Sequence, residues 1–437
     1  REVGLSRTAR VSLVYLAIGL TNAAEAVEVL SAGYLLERVT DNDSARTAVA
    51  VGVYVGMLIG GLTSGILSDR FGRAIVLRWS VAIAAAAATA SAVVPNLPLM
   101  VLCRLASGGG VGAATPPLFS LAVELAPPGR AATAVSIVAS FWMVGSLFAA
   151  GAALAILGPT ADDPPTWSAS ASWRRFALVC ASLPLVSTAL CFACVRDSTI
   201  EVLTAPRARI SSSGGGGDGA EAPSSLQSAE VVLLPQREAW WSVCSRLVLR
   251  RGSPMLPLML AWFGLNFGYY GMATWVTVLL GKSFAGGDTY SMALLYASAN
   301  LPGNIVSVLL IERVGKQPLL AAAMALSTCA AIGLGLAEIS PDGHAALIVA
   351  LAVAFNACAT AGWNSLDALS TSSFEAPVRG TALGMLTATG RVADIAAQIV
   401  NGVLIDASTP ALLAVTSTCM GLGAVGAICT SRTPNGD

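Results

Sequence analysis

The feature that most constrains this chain is a series of twelve apolar runs, each about 20 residues long. A helix needs roughly 20 apolar residues to cross the hydrocarbon of a bilayer, and lipid offers no partner for an unpaired backbone N–H or C=O. The chain is therefore predicted to be an all-α integral membrane protein with 12 transmembrane helices. The runs lie near 12–36, 47–67, 75–94, 98–122, 131–157, 175–195, 254–280, 289–311, 318–337, 344–368, 380–404 and 409–429.

Composition supports the membrane assignment and excludes several classes of function. Hydrophobic residues make up 55% of the chain and charged residues only 11%, against about a quarter in soluble proteins. The 25 basic and 25 acidic residues balance, and no basic patch is interleaved with aromatics, so we expect a lipid bilayer but no nucleic acid as a partner.

Catalytic and cofactor chemistry is not indicated. His344 is the only histidine, and no nucleophile-base pair or Walker motif is visible, so we predict neither an enzyme nor a cofactor. Cys191 and Cys194 form a CxxC without a second ligand pair, which favours membrane-buried thiols over a metal or redox site.

The twelve runs divide six plus six around a stretch that contains "SSSGGGGDGAEAPSSLQS". This Gly/Ser-rich composition is typical of a flexible linker, with a short amphipathic piece around Trp240 and Trp241. The predicted divisions are a cytoplasmic segment 1–11, a six-helix bundle 12–196, a cytoplasmic linker 197–253, a second six-helix bundle 254–429 and a cytoplasmic tail 430–437.

Basic residues in the short loops predict the orientation. Most of them fall on one side of the predicted spans, and the positive-inside rule makes that side, with both termini and the linker, cytoplasmic. The membrane is either the plasma membrane or that of an intracellular vesicle. Asn42-Asp43-Ser44 then lies outside as a glycosylation match, although three-residue matches are common by chance.

The two halves carry matching charged landmarks. An acidic-basic-glycine-basic turn follows the second span of each half, in "GILSDRFGR" and "IERVGK", and a Glu, Pro, Arg series follows each fourth span, in "ELAPPGR" and "EAPVRG". Such a repeat indicates an internal duplication. The charges are interpreted as gates whose ion pairs form in one arrangement of the bundles and break in another. The alternative is that they only set the topology.

These motifs resemble those of a known family. "GILSDRFGR" is similar to the loop motif of the major facilitator superfamily, and "RLASGGGVG", with Arg104, to its fourth-span motif. "EAVEVLSAGYLLE", "FWMVGSLFAAGAALAIL" and "WNSLDALS" look closer to the synaptic vesicle glycoprotein 2 branch and related organic-solute transporters. The resemblance implies two pseudo-symmetric six-helix bundles with a substrate between them. The large lumenal domain of that branch's vertebrate members has no counterpart here, so a vesicle role is not carried over. The predicted gating residues are Asp69, Arg70, Gly72, Arg73, Arg104, Glu124, Arg130, Glu312, Arg313, Glu375 and Arg379.

Polar residues at helical spacing within the apolar runs mark the candidate site, because such stripes cannot face lipid. Trp142 and Trp363 are included because they match tryptophans that line the ligand site in the resembling branch, where a pair would sandwich an organic ring. Span eleven carries a further polar stripe, Arg391, Asp394, Gln398 and Asn401. The predicted substrate-binding residues are Asn22, Glu25, Glu28, Trp142, Asn266, Tyr269, Tyr270, Asn300, Asn304, Trp363, Asn364 and Asp367.

Glu25, Glu28 and Asp367 are the predicted proton-coupling residues. A carboxylate in lipid costs about 2.5 to 3.5 kcal/mol on insertion scales, and desolvation favours its neutral form, so each acid could take and release a proton as the cavity changes sides. The alternatives are a static ion pair with Arg104 or Arg391, or a protonated carboxyl that joins two helices.

The predicted function is secondary active transport of a small organic solute by alternating access, coupled to protons, in a monomer. The solute class stays open between an organic ion, a metabolite and a sugar-like molecule, as does symport against antiport. The alternative function is a non-transporting binding or regulatory membrane protein that keeps the fold. The cytoplasmic turn motifs favour transport, because a binding scaffold does not need bistable gates.

Overall fold

The computed structural model describes residues 7–40, 42–127, 130–158, 167–168, 171–196, 240–250, 252–282, 287–339 and 345–430. These residues form helices joined by short turns, with no strand among them, which confirms the all-α prediction. The helices are α1 (Arg7–Val39), α2 (Asp43–Phe71), α3 (Arg73–Ser91), α4 (Leu97–Glu124), α5 (Ala131–Leu157), α6 (Ser172–Cys194), α7 (Trp240–Leu249), α8 (Met255–Gly281), α9 (Gly287–Ser298), α10 (Asn300–Val314), α11 (Lys316–Ile339), α12 (Ala345–Ser372), α13 (Ala376–Ala407) and α14 (Thr409–Cys429).

Each predicted span corresponds to a helix of membrane-spanning length, with α9 and α10 together forming the eighth. Ten of these spans contain a stretch long and apolar enough to cross a bilayer. The other two, α8 and α13, carry polar residues predicted to face inwards. Every residue of α8 from 264 to 280 is buried, so its polar groups contact protein rather than lipid.

The eighth span is interrupted near its middle, which the sequence did not predict. Only Ala299 separates α9 from α10, its backbone angles stay helical (φ −63°, ψ −19°), and it lies beside the predicted site residue Asn300. The amphipathic piece predicted around Trp240 is helix α7, whereas the linker residues 197–239 lie outside the described residues.

Small residues allow the helices of each bundle to approach closely. In the first bundle α4 packs on α2 and α3, and in the second α11 packs on α12 and α14. A Cβ added to Gly56 of α2 would contact backbone atoms of Leu105 and Gly109 on α4, and one added to Gly108 would contact the backbone of Val53. Only glycine fits at these crossings, as is common where membrane helices meet.

The internal repeat is visible in the backbone. Gly72 joins α2 to α3 with φ 88° and ψ 148°, and Gly315 joins α10 to α11 with φ 95° and ψ 152°. Each glycine N–H donates to the carbonyl four residues earlier, Ser68 or Ile311. This region of backbone space is essentially restricted to glycine, so the two matching turns have the same shape for the same reason.

We call the membrane face at which α1 begins and α14 ends the terminal face, and the other the opposite face. The bundles meet at the opposite face. There the Arg46 guanidinium lies 3.4 Å from Asp406, and Arg38 Nε donates to the Tyr290 hydroxyl at 3.2 Å. The Thr277 hydroxyl donates to a carbonyl of α1 at 3.2 Å. These contacts close the opposite face.

The interior opens towards the terminal face. Along one stripe of α12, Thr360 is buried, Trp363 and Asn364 are half-buried, and Asp367 and Thr371 are exposed. Exposure therefore rises steadily as the stripe runs from the centre to the terminal face. The arrangement is that of a cavity with one accessible end.

Candidate substrate site between the two bundles

Four aromatic side chains form a cluster at the centre of the molecule. Trp142 comes from α5, Tyr269 and Tyr270 from α8, and Trp363 from α12. The ring centroids of Tyr270 lie 6.0 Å from Trp142 and 5.8 Å from Trp363, both edge-on. In this conformation Tyr270 thus lies in contact with both tryptophans. The Trp363 Nε1 is buried and has no hydrogen-bond partner among the described residues, which leaves a donor available to a ligand.

Amide side chains from the broken eighth span lie against this cluster. Asn300 accepts a hydrogen bond from Thr360 at 2.7 Å and donates to Ser146 of the first bundle at 3.1 Å. One turn further along α12 and α10, the Asn364 amide donates to the Asn304 side-chain oxygen at 3.3 Å. Asn300 is the first residue of α10, and its side chain contacts both bundles.

Glu28 and Arg104 form a buried ion pair within the first bundle. Their side chains are 1% and 2% exposed, and a guanidinium nitrogen lies 3.2 Å from a carboxylate oxygen. Ser107 donates to the same oxygen at 2.8 Å. Burial of both charges makes the pair dependent on its geometry, since neither group has water to replace its partner.

Glu25 pairs across the bundles instead. Its carboxylate lies 3.2 Å from the Arg391 guanidinium of α13 and accepts a hydrogen bond from Thr115 at 2.9 Å. Arg391 also donates to Asp394 at 3.3 Å, and its guanidinium carbon lies 5.9 Å from the centre of the Tyr270 ring. One cation of the second bundle therefore contacts an acid from each bundle and adjoins the aromatic cluster.

Three predicted substrate-binding residues lie apart from this centre. Asn22 donates to the carbonyls of Val138 and Ala139 within the first bundle. Asn266 donates to the Trp262 carbonyl of its own helix at 2.7 Å. Asp367 is exposed in the accessible part of the cavity, towards the terminal face. A substrate role for these three, as for the other nine predicted substrate-binding residues, stays a prediction.

The predicted gating residues lie at the terminal face, with one exception. Arg73 and Glu124 form an ion pair there, and Arg379 donates to a backbone carbonyl at its own helix start at 3.1 Å. Arg104 is the exception, because it is buried beside Glu28. Glu312, Arg313, Glu375 and Arg130 are exposed, Arg70 stacks beside Phe71, and the side chain of Asp69 lies outside the described residues.

Two narrow cavities adjoin the site. One lies within the first bundle and is lined by both acids of α1 together with Thr21, Thr115 and Pro184. The other lies between the bundles and is lined by Tyr269, Asn300 and neighbouring apolar residues.

Arg391 and Asp394 lie on a polar stripe that the sequence shows, but they were not among the predicted substrate-binding residues. Two charged residues three positions apart in a membrane span were the signal that could have included them. Thr115 and Tyr54 gave no such signal, because single hydroxyl residues are common in membrane helices.

A sequence model described as the Major Facilitator Superfamily matches residues 12–398, which is most of the chain. The chain is a member of the major facilitator superfamily. Members of this family are membrane transporters and not enzymes, in agreement with the prediction from the sequence. This facilitator is similar to several curated proteins and solved structures.

Among the curated proteins, it is 27% identical over 367 residues to the niacin transporter NiaP of Acinetobacter baylyi, covering 80% of this chain and 76% of that protein. It is 24% identical over 351 residues to the putative niacin/nicotinamide transporter NiaP of Bacillus subtilis, with the same coverage. Synaptic vesicle glycoprotein 2A of Rattus norvegicus is 33% identical over 174 residues, which is 38% of this chain and 24% of that protein.

Solved transporters share the fold of this facilitator. The xylose transporter XylE from E. coli in its inward open conformation superimposes with a TM-score of 0.72 at 15% identity, over 98% of both chains. A structure of a D-xylose-proton symporter gives 0.73 at 17% identity, over 96% of this chain and 97% of that one. At these identities the likeness establishes the fold, and the predicted major facilitator fold is confirmed.

Proposed function

We propose that this facilitator moves a small organic anion across the membrane by alternating access, coupled to protons. The observation that carries the proposal is the Glu25–Arg391 ion pair, which joins the two bundles beside the aromatic cluster. If the bundles rock apart at the centre, this pair must break. A solute carboxylate that contacts Arg391 would replace Glu25 as its partner and so link binding to the rearrangement.

The surroundings of Arg391 favour a flat ring that bears a carboxylate. Indole and phenol rings accept a flat ring by edge-on or stacked contacts, and a guanidinium binds a carboxylate through two parallel hydrogen bonds. The niacin transporters among the relatives are consistent with a solute of this size. Nicotinate is therefore the first probe, and nicotinamide, with the same ring and no charge, is its matched control.

Coupling is proposed to involve the three predicted acids in different ways. Glu25 is placed to exchange its partner when the bundles move, because Arg391 belongs to the other bundle. Glu28 keeps its partner Arg104 within one bundle, and Asp367 meets solvent in the cavity, where a proton can reach it.

The orientation and assembly complete the proposal. We place the terminal face and the linker 197–253 on the cytoplasmic side, and the boundaries of the two bundles at 12–196 and 254–429. A single chain contains both halves of the site, so the monomer is the proposed working unit.

The test is nicotinate-driven proton movement into proteoliposomes that hold a trapped pH-sensitive dye. Nicotinate is expected to acidify the lumen in the wild type, and nicotinamide and xylose are not. Arg391→Gln should abolish the response, whereas Cys329→Ser, a change at an exposed position remote from the site, should leave it intact.

Two outcomes would overturn parts of this proposal. Nicotinate binding without flux under any imposed gradient would favour the non-transporting binding protein. Nicotinate flux without proton movement would retain the transporter and exclude the coupling.

A further inference from the structure

The central cluster holds one more carboxylate than it has cations. Glu25 of α1 and Asp394 of α13 both contact the Arg391 guanidinium, at 3.2 Å and 3.3 Å. The side chains of Glu25, Arg391 and Asp394 are 7%, 13% and 0% exposed. With all three ionised, the cluster would carry a net charge of −1 with little water to stabilise it, which is strongly unfavourable in a low-dielectric interior.

We propose that Asp394 is the proton-binding residue that neutralises this cluster when no solute is bound. The inference deepens the proposed function, since it names a coupling residue beyond Glu25, Glu28 and Asp367. Asp394 is chosen over Glu25 because of what each carboxyl contacts. Glu25 has both oxygens occupied, one by Arg391 and one by the Thr115 hydroxyl.

Asp394, by contrast, uses one oxygen only. Its Oδ2 accepts from Arg391, and its Oδ1 is completely buried with no hydrogen-bond partner among the described residues. An ionised carboxylate needs donors at both oxygens, so an unpartnered buried oxygen favours the neutral acid. A proton that binds there forms an O–H bond at Oδ1 and removes the surplus negative charge.

Within the part of the chain that the structure describes, the groups around Asp394 supply no second cation. On its own helix it faces Arg391, from α1 it faces Glu25, and from α2 and α8 it faces the phenols of Tyr54 and Tyr270. α14 has no acidic or basic residue, and its Cys419 packs beside Ala393 and Ala397. On α12, Asp367 lies towards the terminal face.

Gln398, one turn along α13, does not satisfy the free oxygen. Its carbonyl accepts from the Trp275 indole at 2.9 Å, and its amide donates to the Tyr270 carbonyl at 3.4 Å. The proton at Asp394 also predicts how many protons accompany each solute. A solute anion at Arg391 adds one negative charge, and one further proton, taken up by Glu25 as the remaining carboxylate, restores neutrality.

The test is an infrared difference spectrum of the full chain in detergent, without solute, between near-neutral and alkaline pH, a range in which exposed carboxyls stay ionised. A protonated buried carboxyl gives a C=O stretching band that the carboxylate lacks. The wild type is expected to show a band that disappears as the pH rises. Asp394→Asn should remove the band, and Asp43→Asn, a control at an exposed carboxyl outside the site, should retain it.

Conservative variants locate the proton. Asp394→Glu should shift the frequency of the band, whereas Glu25→Asp should leave the frequency unchanged. Arg391→Gln removes the cation that pairs with both acids, so both should be protonated and the band should roughly double in intensity. These comparisons decide the question even if Asp394→Asn does not fold.

Three results would overturn the inference: no titrating band in the wild type, a band that survives Asp394→Asn, or a shift in Glu25→Asp rather than Asp394→Glu. Because no solute is present, a failure of nicotinate transport leaves this test unaffected. Equally, a missing band would not change the outcome of the nicotinate transport test in proteoliposomes.

Discussion

At the scale of single residues, two arginines of this facilitator differ in where their partners lie. Arg104 pairs with Glu28 inside one bundle, so the proposed motion of the bundles would leave that pair intact. Arg391 pairs with Glu25 across the bundle interface, so the proposed motion would break that pair. The residue types are the same, and only their location distinguishes the two pairs.

Glu28→Gln should therefore destabilise the fold. The change leaves the Arg104 guanidinium buried with no charged partner, and breaking one side of a buried pair costs about 3 to 5 kcal/mol. Thermal unfolding in detergent, followed by loss of the monodisperse elution peak, measures the effect. The double variant Glu28→Gln with Arg104→Gln should recover much of the loss. A single variant as stable as the wild type would mean that another group compensates Arg104.

At the scale of helices, glycine contacts set the distance between α2 and α4. Gly56→Ala should lower the thermal stability, because the new Cβ meets the backbone of α4 and forces the helices apart. Gly65 lies on the same helix with nothing within 4 Å of such a Cβ, so Gly65→Ala is the matched control. That control should be neutral or gain about 0.5 to 1 kcal/mol from helix propensity. Equal behaviour of the two variants would exclude the close-contact explanation.

The two repeated turns give a prediction for the internal duplication. Gly72→Ala and Gly315→Ala should each lose about 1 to 3 kcal/mol of stability, because both positions hold a backbone conformation that a side chain opposes. Gly384→Ala, in a helix with open space around it, should show no such loss. The unfolding midpoint of each variant is the measurement. Loss at one turn alone would argue that the two turns are not equivalent.

At the scale of the whole molecule, closure of the opposite face depends on how closely α1 packs against α8. A Cβ on Gly33 would contact the backbone carbonyl of Thr274 in the other bundle. Gly33→Ala should therefore hold the opposite face open and shift the population of conformations. Gly151→Ala, in α5 with no neighbour within 4 Å, is the control.

Spin labels at Ser44 and Ala407, on a background without native cysteines, report this closure. Both positions are exposed, next to the Arg46–Asp406 pair that joins the bundles. The distance between the labels should lengthen in Gly33→Ala and remain short in Gly151→Ala. An unchanged distance would mean that α1 and α8 are not the limiting contact.

The sequence by itself determined the all-helical membrane fold and the internal repeat, and it predicted twelve spans. These follow from local properties: the length of an apolar run, the period of its polar residues, and the glycine that a tight turn requires. The sequence also predicted that most of the central residues lie on inward-facing stripes, because a polar side chain that faces lipid is energetically unfavourable.

Only the tertiary structure decided which acid pairs with which arginine, where the eighth span breaks, and which face is open. Glu25 and Glu28 are three residues apart on one stripe, yet one contacts α13 and the other α4. That outcome depends on the tilt and rotation of each helix, which packing against several neighbours sets together. Such contacts join residues as far apart as 25 and 391, and no local pattern in the chain specifies them.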